Sequence, residues 1–257
     1  MKQSEAESYL KTKLKSFYLF SYFTLPDELQ AGQLVIDALN RLYLEGDDSL
    51  DTLVNSEVDD IGRKELLSFL ELKIFSKIRE MGQKRVEQLA LEGDELYFNM
   101  DWKSRTQLYL HSVLGKNFDF ISTVFDEEKL TTQSHFYQAM DQFEKNYYEP
   151  LESSFYQENC SKRYLVTQLL DKTLNRDKEI AYYTHMGECD TCKEHFHHQA
   201  ELRKRIKFFM SEAKVSSETE QLLSSELNSI LESTYKKLRR KVSSKLISRV
   251  AEIFKIF

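Results

Sequence analysis

Three residues of one short stretch, His185, Cys189 and Cys192, are the side chains of this 257-residue chain best suited to chemistry. They follow the pattern H-x3-C-x2-C, and the one remaining cysteine, Cys160, extends it upstream to C-x24-H-x3-C-x2-C. One imidazole and three thiolates are a full tetrahedral donor set for Zn2+, and a set closed by protein ligands leaves no position for water or substrate. His195, His197 and His198 are near enough in sequence to replace Cys160 as fourth ligand, and a lone cysteine is equally at home as a buried apolar residue. No glycine-rich phosphate loop, nucleophile elbow or H-E-x-x-H accompanies the cluster, so the chain is expected not to be an enzyme.

The elements that must position these ligands are helices. Seven glycines and two prolines, in a chain rich in Leu, Lys, Glu, Gln and Ser, predict an all-α fold. His185 and Cys189, four residues apart, are expected on one helix face, with Cys192 a turn later on the same helix. Cys160 is expected on an antiparallel preceding helix, joined through the polar turn 171–177. Ahead of this hairpin, apolar residues recur with helical spacing over 9–23, 29–44 and 66–78, then over 100–115, 118–125 and 131–147, where Thr131 or Thr132 is a natural N-cap. Leu25-Pro26-Asp27-Glu28 reads as a helix start, 45–60 and 92–95 as polar breaks, and Pro150 as a boundary.

Behind the hairpin a helix is expected over 193–210, a Ser-rich break at 215–217, and then an amphipathic pattern from 219 to 257. Leu223, Leu227, Ile230, Leu231, Leu238, Val242, Leu246, Val250 and Ile253 share one side of it, and a basic cluster spans 236–241. Such a stripe must dock on protein, pair with a second copy as a homodimer, or lie on a membrane surface; docking on protein is the expectation. Four domains follow: 1–92, 98–149, 153–212 and 216–257.

The net charge of −6 is unevenly spread, with 17 Lys and Arg against 27 Asp and Glu in residues 1–150, and 19 against 15 in 151–257. No apolar run suits a membrane span and no export leader is visible, so a soluble, cytoplasmic protein with reduced thiols is expected.

With the ligands and turn in place, residues 158–196 resemble the zinc-binding anti-sigma factor domain: Cys160, Leu169-Leu170-Asp171, Glu179 and His185 through Cys192 fall in register. The resemblance implies Zn2+ on Cys160, His185, Cys189 and Cys192, and a module that clamps a sigma factor away from RNA polymerase. It also implies redox sensing, since some members with three cysteines and one histidine release zinc on oxidation.

The front half resembles a diverged extracytoplasmic-function sigma factor. Phe20 to Pro26 and Leu34 to Tyr43 parallel that family's polymerase-binding helix in region 2, and Lys64 to Leu70 through Arg79, Lys84 and Arg85 its promoter-facing helix. Residues 100–147 resemble its region 4 helix-turn-helix, with 118–122 in the first helix and 131–143 in the recognition position. The resemblance implies promoter DNA contacts from Lys77, Arg79, Lys84, Arg85, Gln133 and Gln138, although 131–143 has no Lys or Arg for phosphates. A transcription regulator follows: a sigma-like protein fused to, and autoinhibited by, its own anti-sigma module, with RNA polymerase core or a sigma or anti-sigma protein as partner. The alternative is a diverged scaffold that keeps these folds for protein interaction or redox sensing without binding DNA.

Overall fold

The computed structural model of the chain describes residues 3–44, 60–89, 100–147 and 160–233, together with Lys236. Among these residues there are helices and no strands, and no helix is long and apolar enough to cross a membrane. The polar stretch 45–59, the break at 92–95, Pro150 and residues 237–257, with the rest of the apolar stripe and basic cluster, lie outside the described residues. The described residues fall into two compact units: one takes the N-terminal helices together with 215–233, the other takes 100–214. Residues 100–147 and 160–212 thus fall in one unit, where the sequence suggests separate domains.

The first unit contains α1 (Gln3–Thr24), α2 (Glu28–Leu44), α3 (Asp60–Leu89) and α10 (217–233). Asp27 sets the start of α2: its side chain accepts from the Gln30 N–H at 2.8 Å and its carbonyl from the Ala31 N–H at 2.9 Å. Pro26 therefore stands just outside the helix, where its missing N–H costs nothing. The core is aromatic, with Phe17 and Phe20 edge-on to Phe75 at centroid distances of 5.1 and 5.0 Å, a favoured quadrupole arrangement. The buried Glu71 carboxylate accepts from Tyr9 Oη at 3.2 Å and pairs with Lys13 at 3.3 Å. Ser216 caps α10 through the Thr219 N–H, 3.2 Å from its hydroxyl. Leu223, Leu227, Ile230 and Leu231 are all buried, so the visible part of the C-terminal stripe is docked within this unit.

The second unit begins with α4 (Trp102–Leu108), capped by Asp101, which accepts from the Ser104 N–H at 2.9 Å. It passes without interruption into a π-helical turn, Tyr109–Val113, where the Leu114 N–H reaches the Tyr109 carbonyl at 3.2 Å; periodicity does not signal such a turn. Then come α5 (Phe118–Phe125) and α6 (Lys129–Tyr147), joined through Asp126 in left-handed backbone, φ 56°. Neither Thr131 nor Thr132 is the N-cap of α6. The Thr132 N–H already donates to the Glu128 carbonyl at 3.0 Å, and its side chain is buried, so the helix begins a turn earlier than the threonines suggest. The hairpin follows as α7 (Leu165–Leu170), α8 (Arg176–Glu188) and α9 (Asp190–Ser211).

Gly82 fixes how closely the helices of the first unit pack. A Cβ there would stand 2.6 Å from Thr24 Cγ2 and 3.2 Å from Leu34 Cδ2, and Thr24 is buried with its hydroxyl donating to the Phe20 carbonyl at 2.9 Å. Alanine adds about 1 kcal/mol of helix propensity, while overpacking costs about 1–3 kcal/mol. Gly82→Ala is expected to lower the unfolding free energy by up to about 2 kcal/mol in urea titrations, and Thr24→Ser, which removes the methyl, should restore it. A stabilised Gly82→Ala single variant would show that α3 does not pack this tightly.

Candidate metal centre

Cys160, His185, Cys189 and Cys192 converge: their ligand atoms all lie within 4.8 Å of one another, and Cys160 Sγ is 3.3 Å from His185 Nε2. A tetrahedral ion bound at about 2.0–2.3 Å has ligand–ligand edges of roughly 3.3–3.8 Å. A contraction of about 1 Å in the longest separation completes the fit, so this cluster can bind a metal ion. His195, His197 and His198 are not part of it. His198 Nε2 lies 2.8 Å from Glu144 Oε1 instead.

The backbone reaches this arrangement differently from the expected pair of helices. Cys160 precedes α7 and belongs to a tight turn, in which the Arg163 N–H donates to the Cys160 carbonyl at 3.0 Å. Cys189 interrupts the second helix: at φ −121° and ψ 100° it is extended, with α8 ending at Glu188 and α9 starting at Asp190. The H-x3-C-x2-C motif thus straddles a corner between two helices instead of one continuous face. His185 comes from the last turn of α8 and Cys192 from the first turn of α9.

The exposure of the sulfurs differs. Cys192 is 0% exposed, while Cys160, Cys189 and His185 are half-buried. Without a metal, burial pushes the Cys192 thiol up to about 11. The Lys162 backbone N–H, acting first, draws the Cys160 thiol below its ordinary value. The apolar packing here is small: Val166, Leu169, Tyr182 and Met186 with Cys192, flanked by Leu165, Leu170, Leu174 and Phe196. Asn175 starts α8 by accepting from the Lys178 N–H at 3.0 Å.

A second buried cluster, absent from the sequence motifs, ties this hairpin to α4–α6 inside the unit. Asp171, just beyond α7, has a side chain 1% exposed; its carboxylate accepts from Arg203 Nη2 of α9 at 2.7 Å and from Tyr137 Oη of α6 at 2.5 Å. His111 Nε2, in the π turn, is 3.7 Å away, and its ring packs against Phe118 and Phe136 at 4.7 and 4.4 Å. Burial, outweighing the attraction of Asp171, holds His111 below its ordinary range. Each carboxylate oxygen has a partner, which a buried charge requires. In the sequence Asp171 stands in the polar turn and in the Leu169-Leu170-Asp171 stretch of the anti-sigma resemblance, with nothing to mark these partners.

The residues expected at DNA are divided between the units. Lys77 and Lys84 both pair with Glu80, at 3.3 and 2.7 Å, and the Lys84 contact foremost holds the Glu80 carboxyl below its usual range. Arg85 pairs with Asp37, and Arg79, also on α3, is half-buried. On α6, Gln133 is half-buried and Gln138 exposed, on an outer face that also presents Ser134, Asp141 and Lys145. Compared with protein-family models, curated proteins and solved structures, the chain matches none.

Burial first, with Arg163, His198 and Arg203 around it, pushes His195 down to about 4 from an ordinary 6.5. The unfolded chain therefore takes up the proton first, and the contribution of a neutral His195 is lost as the pH falls from about 6.5 through about 4. His195→Gln should flatten the dependence of unfolding free energy on pH within that window. Both proteins share the metal ligands, so the difference between their slopes is the readout; identical slopes would contradict the assignment.

Proposed function

We propose that the chain is a non-enzymatic transcription regulator, a sigma-like helical protein that carries its own zinc-stapled anti-sigma-like module and is held inactive in cis. The Cys3His set favours Zn2+, because soft thiolates with one imidazole in a closed four-ligand site suit that ion. When bound, Zn2+ supplies a structural crosslink between the 160–164 turn and the α8–α9 corner.

The observation that carries autoinhibition is the seat of α10 in the first unit. Its stripe is buried, and the Thr219 methyl is 3.7 Å from the Cβ position of Gly32 on α2. By the sigma resemblance α2 contains the polymerase-binding surface, so α10 would cover part of what polymerase needs. Covalent attachment favours this closed state through high effective concentration.

The paired state of Lys77, Lys84 and Arg85 and the near-neutral outer face of α6 favour a second reading, a regulator that binds protein and not DNA. DNA affinity comes largely from cations that displace counterions, and it weakens steeply with salt. The test is Leu223→Glu with Leu227→Glu in the full chain, checked for retained helicity by circular dichroism. Under autoinhibition the variant should bind RNA polymerase core at least about ten-fold more tightly than wild type, a coupling of about 1.4 kcal/mol. Unchanged polymerase binding would remove autoinhibition, and salt-independent or absent binding to duplex DNA would leave the second reading.

A further inference from the structure

The least exposed ligand has a neighbour that nothing above employs. Tyr182, on α8, is 1% exposed, and its ring centroid stands 5.8 Å from that of His185. Its hydroxyl is fully buried and makes no hydrogen bond of ordinary geometry; it shares a buried cluster with Cys192, the side chain with which it interacts most strongly.

Two shortages meet here. A buried hydroxyl is costly without an acceptor. Three thiolates and a neutral imidazole around a divalent ion leave a net charge of about −1 at the centre. Cys160 and Cys189 can share that charge with solvent, and Cys160 with the Lys162 N–H. Cys192, at 0% exposure, needs a donor from the protein. Outer groups that hydrogen-bond metal ligands orient them and tune the metal.

We propose that Tyr182 is the outer-shell donor of the metal centre, its hydroxyl hydrogen-bonding the metal-bound thiolate of Cys192 as the ligand set contracts around the ion. This rests on the metal-binding reading of the four ligands. The bond would spread the negative charge of that sulfur, stabilising the buried thiolate and with it the hold on a divalent ion, while reducing its electron donation to the metal. Tyr182 is thus a positioning and tuning residue, not a ligand.

The test is Tyr182→Phe in the full chain, which keeps the ring and removes only the hydroxyl. Val166→Ala, in the same apolar cluster, serves as the packing control. Each protein is titrated with Co2+, and its Zn2+ affinity is measured by competition with a chromophoric chelator. Tyr182→Phe should bind one ion with affinity reduced about ten-fold or more, and its thiolate-to-cobalt charge-transfer band should move to longer wavelength. Val166→Ala should leave the band in place whatever it does to affinity. A Tyr182→Phe protein with wild-type affinity and band would overturn the proposal, as would an equal band shift in Val166→Ala. Failure of the wild-type chain to bind either ion would instead remove the metal reading beneath it.

Discussion

Convergence of three sulfurs and one imidazole at the corner between α8 and α9 is the constraint on which the hairpin depends. The apolar cluster around it is small, and helices as short as α7, Leu165–Leu170, are marginal on propensity alone. Structural zinc contributes on the order of 10–16 kcal/mol in small domains, comparable to the total stability of a typical one. A metal crosslink between the turn at Cys160 and the two helix ends would therefore outweigh the local packing. It would also account for the extended residue Cys189, where a continuous helix would otherwise run.

Asp171 carries that local constraint into the rest of the second unit. It lies between the first two ligands in sequence, and its carboxylate binds Arg203 of α9 and Tyr137 of α6. The same residue that closes the α7–α8 turn thus anchors α6. Buried ion pairs of this kind contribute little net stability against an apolar replacement, but losing one partner costs about 3–5 kcal/mol. Here the pair links the α7–α8 turn to α6 and α9 through two buried polar contacts.

How much was legible in the sequence follows from how local each signal is. The four ligands stand out because Cys and His spacing is read within a few turns, and the all-helical character because glycine and proline are scarce. The corner at Cys189 was not legible: only Gly187 nearby weakens the helical pattern, and convergence on the ligands fixes the break. Thr131 and Thr132 mislead for a related reason, since burial of Thr132 against the core overrides its preference for a cap. The Asp171 cluster joins residues 34 and 32 positions apart in sequence, beyond the reach of any periodicity. The stripe on α10 was visible, whereas the unit that buries it depends on tertiary contact.

The central claim is a closed centre of three sulfurs and one nitrogen, and X-ray absorption at the zinc edge of the purified full-length chain tests it most directly. One zinc per chain with a first shell of three sulfurs at about 2.3 Å and one imidazole nitrogen at about 2.0–2.1 Å is the predicted result. A shell of nitrogen and oxygen alone, or fewer than three sulfurs with a bound water, would contradict it.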